Sequence, residues 1–279
     1  MRIQIITGAG RPFGPQYLPY RLMECWQEAG HTVAVGPERR LNADVGIVHV
    51  DRTVVPADCL PDTPHPRPLV NGGILDISKT RISRQRLLQC DDWVGPVIVK
   101  TNNNAYGGPE FRTLGRWSWP RLRRRLTKRL PWQWVGCLPR EHYPVLAHLS
   151  DVPGWVWRRH ELMVERFLPE RDGTDYVLRS WLFFGDQEYS VKLLSPQPVV
   201  KAGNISRHEY LHDVPASLRA ARLALGVDFG KFDYVVVDGE AVLLDVNKTP
   251  SISVSGTTRS PNVIRLASGI AALADRVPA

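Results

Sequence analysis

The 279 residues carry 36 Lys and Arg against 28 Asp and Glu, for a net charge of +8, and a chain of this length predicts one large domain or two closely joined ones. Hydrophobic residues at 43% and charged residues at 23% exclude a disordered or fibrous chain. No apolar run approaches the roughly 20 residues of a membrane span, and the opening Met1-Arg-Ile-Gln-Ile-Ile-Thr-Gly8 is too short an apolar start for a signal peptide, so a soluble, cytoplasmic protein with no membrane partner is expected.

From the N-terminus, Ile3 to Thr7 reads as a strand ending in Gly-Ala-Gly, Gln16 to Ala29 as a helix stopped by Gly30, and His31 to Val35 and Asp44 to Val50 as two more strands. This order opens a doubly wound α/β unit. Five prolines between Pro56 and Pro68 predict an extended surface connection. Leu69 to Ile74 then reads as a strand, Ser78 to Gln89 as a helix with Ser78 as N-cap, and Pro96 to Lys100 as a short buried strand running into a polar loop that ends in Gly107-Gly108. Arg116 to Trp134 reads as one basic helix bracketed by tryptophans. Beyond it, strands are expected at Leu162 to Leu168, Tyr176 to Phe184 and Glu188 to Leu194, and a helix at Ala216 to Leu225. A hairpin, Phe232 to Val237 with Ala241 to Val246, turns at Asp238-Gly239-Glu240, and a last helix runs from Pro261 to Arg276.

The hairpin Asp233-Tyr-Val-Val-Val-Asp-Gly-Glu-Ala-Val-Leu-Leu-Asp-Val-Asn247 is the segment richest in chemistry. Side chains i and i+2 share a face of a strand, so Asp245 and Asn247 point one way and Leu244 and Val246 the other, and pairing across the turn brings Asp233 beside the first two. Two carboxylates and an amide oxygen form a hard-oxygen site suited to Mg²⁺, which keeps waters and substrate phosphates in its shell. Lys100, at a strand end before a glycine-bearing loop, is placed to reach phosphate oxygens.

In this order the segments resemble the ATP-grasp superfamily, of the carboxylate-amine ligase type similar to D-alanine:D-alanine ligase and glutathione synthetase. Pro96-Val-Ile-Val-Lys100 with Gly107-Gly108 resembles the phosphate-binding strand and the loop over the triphosphate. Met163-Val-Glu-Arg-Phe-Leu168 resembles the hinge where adenine docks, with Glu165, Phe167 and Leu168 as contacts, and Asp175 stands where the family has an acid for the ribose. Gly230-Lys-Phe-Asp233 and Leu244-Asp-Val-Asn247 resemble the two metal-binding pieces, which implies Asp233, Asp245 and Asn247 as ligands, Lys231 as a cation facing the reacting phosphate, and Lys79 as the lysine on the α-phosphate side. Asp245 departs from the family's usual Glu.

The resemblance implies ATP and Mg²⁺, a Rossmann-like N-terminal domain over residues 1–78, and a two-lobed ATP-grasp domain over 79–279 with a basic, Trp-rich insert at about 109–150. It also implies a reaction in which a small-molecule or peptide carboxylate becomes an acylphosphate and is attacked by an amine or similar nucleophile. Alternatives are an ATP-grasp kinase and a nucleotide-binding protein without turnover. Arg179 and Lys192 are candidates for phosphate or substrate contacts, Arg179 as a catalytic group; each reads equally as a solvated surface cation.

Two further patterns compete. Gly8-Ala-Gly-Arg-Pro-Phe-Gly14 has the wrong spacing for a dinucleotide fingerprint, with Phe13 where the third glycine belongs and prolines crowding the turn. The basic run reads first as a solvated helix that its tryptophans anchor to the body, with Leu122, Leu126 and Leu130 as an apolar stripe. An acidic substrate or carrier is the next partner for it, and nucleic acid the last.

Overall fold

The computed structural model describes residues 1–8, 13–62, 67–108, 119–127, 129–139, 142–251 and 260–275. Residues 9–12 of the glycine-rich turn and 63–66 of the proline-rich connection lie outside them, as does 109–118 at the start of the insert.

Strands β1 (Arg2–Thr7), β2 (Thr32–Gly36), β3 (Val45–His49) and β4 (Leu69–Val70) form a parallel sheet in the order β2-β1-β3-β4. Nearly continuous Ile and Val in β1 and β3 suit strands covered on both faces, and β3 is buried along its whole length. Helix α1 (Leu18–Glu28) packs Leu18, Leu22 and Trp26 on this sheet. The fourth strand stops at Val70, short of the expected Ile74, because Asn71 takes a left-handed φ of 60°. Its buried amide then clamps the chain at Asp228 and Phe229: Nδ2 donates to the Phe229 carbonyl at 2.8 Å, and Oδ1 accepts from the backbone amides of Asp228 and Phe229.

A second sheet, antiparallel and ordered β5-β8-β6-β7, comprises β5 (Arg86–Leu87), β6 (Val97–Thr101), β7 (Val145–Leu146) and β8 (Leu162–Arg166). The helix expected over residues 78–89 is a single turn, α2 (Lys79–Ile82). The chain leaves it because Arg86 and Leu87 pair with Glu165 and Val164 of β8, tertiary pairing overriding local helical preference. Ser78 makes no side-chain cap; Asn102 supplies one from another loop, its carbonyl taking the Lys79 amide and its Oδ1 the Thr80 amide.

The third sheet holds β9 (Glu170–Asp172), β10 (Asp175–Phe184), β11 (Gln187–Ser195), β12 (Arg207–Leu211), β13 (Phe229–Val237) and β14 (Glu240–Asn247), with β10 at its centre. The β13–β14 turn carries positive φ at Asp238 and Gly239, the twist a tight hairpin requires.

In the insert, the single basic helix is replaced by α3 (Trp119–Leu126) and a turn, α4 (Trp132–Val135), with Pro131 between them. Anchoring by tryptophans holds for Trp132, which packs against the second sheet's core, but Trp119 and Trp134 are 75% and 82% exposed, and Leu126 and Leu130 are exposed too. Residues 154–157 form α5 (Gly154–Trp157) under that sheet, and α6 (Ala216–Leu225) covers the third. The last helix is two, α7 (Pro261–Ser268) and α8 (Ile270–Ala274). They break at Gly269, where a Cβ would run into the Phe184 carbonyl oxygen. Leu266, Ile270 and Leu273 join Phe184, Phe229, Trp26 and Ile5 in one core that fuses the parallel sheet to the third sheet. Among the described residues no helix is long and apolar enough to cross a membrane.

Candidate active site

A cavity opens between the second and third sheets, with β6 and the chain after β8 on one side and β10, β13 and β14 on the other. On β13 and β14 the register pairs Lys231 with Asn247 and Asp233 with Asp245, so one face presents two carboxylates, an amide and an ammonium. A bulge at Leu244 shifts the register between Asp233 and Tyr234. Strict alternation would send Leu244 to the opposite face with Val246; the bulge instead lets Leu244 and Asp245 both line the cavity while Val246 stays in the core behind.

The charges on this face are paired. Lys231 Nζ lies 2.8 Å from Asp233 Oδ2, whose other oxygen accepts from the Ser180 hydroxyl, and Lys79 Nζ lies 2.8 Å from Asp245 Oδ1. Burial by itself would lower the pKa of both lysines, but their carboxylates outweigh it: Asp245, with Tyr143 and Glu165, pushes Lys79 up, and Asp233 with Asp245 pushes Lys231 up. Both ammoniums stay charged. Asn247 Oδ1 accepts the Thr249 amide at 2.9 Å.

Across the cavity, Ile98 and Lys100 share a face of β6, and Ile98 pairs with Glu165 on β8. Lys100 and Glu165 accordingly meet in a buried ion pair, and Glu165 Oε1 is left buried without a hydrogen-bond partner. Phe167 and Leu168 line the cavity, although the Phe167 amide is already taken by the Pro96 carbonyl. Beyond Lys100 the loop turns at Tyr106 and Gly107, both at positive φ, with Gly108 beside open space.

Six predicted residues are absent from the cavity lining: Gly107 and Gly108, which follow its Tyr106, Glu165, which is held by its Lys100, and Asp175, Arg179 and Lys192, which lie elsewhere. Ser180 faces Asp233, so by alternation Arg179, and Lys192 which pairs with it in register, belong to the opposite face of the sheet. There Glu170 holds the Arg179 guanidinium through both oxygens, and Asp172 holds Lys192. Asp175 sits at the first position of β10 opposite Asp172, outside the cavity lining. Conversely, sequence reasoning missed Tyr143, whose buried phenol lies 2.9 Å from Thr101 Oγ1 and whose ring stacks on Tyr106 at 4.1 Å. Burial pushes this phenol's pKa up, against the pull of Lys79. No local pattern marks it, since its partners lie about 40 residues away.

Two carboxylates and an amide oxygen fit Mg²⁺, which takes its remaining ligands from water and phosphate; no cluster of three or more His, Cys, Asp or Glu suited to a metal occurs among the described residues.

No protein-family model and no curated protein matches the chain. Among solved structures it is similar to the ATP-grasp ligase PsnB complexed with a minimal precursor, at 11% identity and TM-score 0.53, covering 97% of this chain and 98% of that one. It is likewise similar to the macrocyclase MdnC bound with the precursor peptide MdnA from Microcystis aeruginosa MRC, at 9% identity and TM-score 0.52 over 96% and 98% of the two chains. The chain has the ATP-grasp fold.

Proposed function

We propose that this chain is an ATP- and Mg²⁺-dependent ligase that converts a carboxylate into an acylphosphate for attack by an amine or similar nucleophile. The observation that carries the reading is the in-register pair Asp233 and Asp245 with Asn247, beside Lys231 and Lys79 and across one cavity from Lys100. In this reading residues 1–78 are a Rossmann-like unit and 79–279 the ATP-grasp domain.

The pairing within the cavity suggests how the residues act. Lys79 and Lys231 neutralise Asp245 and Asp233. A triphosphate entering the cavity competes for both ammoniums, and each lysine released to phosphate leaves a carboxylate free. Mg²⁺ held by Asp233, Asp245 and Asn247 would supply charge neutralisation for the transferring phosphoryl group. Lys231 and Lys100 would face the phosphates as point charges, Gly107-Gly108 would cover them, and Phe167 and Leu168, which line the cavity, would contact the base, with Glu165 held by Lys100 next to them.

The test is incubation with ATP, Mg²⁺ and pooled carboxylic acids in hydroxylamine, which traps an acylphosphate as a hydroxamate. The expected products are a hydroxamate and stoichiometric ADP. A phosphorylated acceptor stable to hydroxylamine points to a kinase, and AMP with pyrophosphate to adenylation; either outcome sinks the acylphosphate reading.

A further inference from the structure

Between Arg112 and Arg129 the sequence carries eight Lys and Arg and no Asp or Glu, a charge equal to the whole chain's excess. In the part of this segment that the structure describes, Arg123, Arg125 and Arg129 are exposed, and no carboxylate pairs with them. Trp119 and Leu126 are two helical turns apart on α3, so they share a face, and both are exposed, as are Leu130 and Trp134. Large apolar side chains amid unpaired cations raise a basic helix's solvation cost without adding to its core, which is the composition of a surface that meets a partner.

The insert's two roots lie on the active cavity. Tyr106 precedes it and Tyr143 lies towards its end; their rings stack on each other and both line the cavity. Its far end is fastened by Trp132, which packs edge-on to Trp155, and by the Trp155 indole, which donates to the Gln133 carbonyl at 2.9 Å. The insert is thus joined to the cavity at Tyr143 and to the core of the second sheet at Trp132.

We propose that the insert is the docking site for an acidic polypeptide with interspersed apolar residues, and that this polypeptide is the substrate or carries it. The inference rests on the carboxylate-activating reading above, which also selects among anions. Glu and Asp side chains supply both the charge that complements the arginines and the type of group the cavity activates, whereas nucleic acid and phospholipid supply only charge.

The test is fluorescence anisotropy with a fluorescein-labelled 20-residue peptide of three Glu to one Leu, titrated with the full chain. Wild type is expected to bind it, and the R123E/R125E/R129E variant to bind at least tenfold more weakly. The W119A/W134A variant should weaken binding of this peptide but not of an all-Glu peptide of equal length. Equal binding by wild type and the charge-reversed variant overturns the proposal, as does tighter binding of wild type to a 20-residue oligothymidylate or to phosphatidylglycerol vesicles at matched charge. ATP-Mg²⁺ thermal shifts are read on the same samples: insert-dependent peptide binding without an ATP shift removes the ligase reading and leaves the docking site, and the reverse removes the docking site alone.

Discussion

Around Asp245, every cavity lysine has a carboxylate within ion-pair distance, Lys79 with Asp245, Lys231 with Asp233 and Lys100 with Glu165. On the insert, Arg123, Arg125 and Arg129 face solvent with none among the described residues. The difference follows from burial. A buried ammonium without a partner costs several kcal/mol, so the fold must deliver its carboxylate: Lys231 meets Asp233 two residues along β13, Lys79 reaches Asp245 from α2, and Lys100 meets Glu165 of β8. An exposed guanidinium carries no such cost, and nothing in the fold dictates where its counter-charge comes from. The cavity's charges are thus settled by folding and the insert's are left for a partner.

The largest expected effect breaks the cavity side. Asp245→Asn keeps the side chain's shape and removes one charge from the proposed metal site; hydroxamate formation should fall on the order of a thousandfold, comparable to losing a preorganised electrostatic contact in a water-excluded site. Near wild-type turnover in this variant would falsify the metal assignment.

Asp245→Leu isolates the structural half of the same pairing. It strands the Lys79 ammonium, whose side chain is 4% exposed, and should lower unfolding free energy by about 3–5 kcal/mol. Adding Lys79→Met should restore most of that loss in denaturant titrations. Because Asp245 raises the Lys79 pKa above its ordinary value, the pair's contribution is complete below that ordinary value and is lost only as pH climbs through the raised one. The double-mutant difference should therefore be flat from pH 6 to 9.

His49 sharpens the contrast, since it is buried with neither a partner nor a charge. Its ring lies edge-on to Phe13 and Tyr17, neither nitrogen has a hydrogen-bond partner, and burial lowers its pKa to about 4 against a modest upward pull from Asp51. A depressed histidine is neutral in the fold while the unfolded chain takes up protons from its ordinary 6.5 downward. Stability should accordingly fall between pH 6.5 and 4, by about 3 kcal/mol at the lower end. His49→Phe should flatten this part of the acid profile in urea titrations at pH 7, 5.5 and 4.5; an unchanged slope would assign the acid loss to other groups.

How much of this could be read in the sequence depended on whether the deciding contact was local. Asp233, Asp245 and Asn247 were legible because one tight hairpin sets their pairing, and Lys100 because its strand is short and apolar. The bulge at Leu244 was not, since a bulge is fixed by packing on both faces and leaves no mark in a run of Val and Leu. Arg179 and Lys192 were misplaced for a related reason: which face of β10 meets the cavity is decided by its register against β13, a strand about 50 residues away. The helix expected through Gln89 lost to pairing with β8. Asp175 fell outside the lining because the β9–β10 hairpin, and not the cavity, determines its position.

The smallest effect tests the insert side. If its cations are unpaired and solvated, reversing three of them should leave the fold almost untouched: R123E/R125E/R129E should shift unfolding free energy by no more than about 0.5 kcal/mol per site, the range for surface changes that break no contact. Reversal also removes repulsion among like charges, so the shift should be toward stability at low salt and should vanish by 0.5 M NaCl, where the Debye length is only a few ångströms. A large loss in the same urea titration would mean that these arginines hold carboxylates within the chain, and the division between charges settled by folding and charges left for a partner would no longer stand.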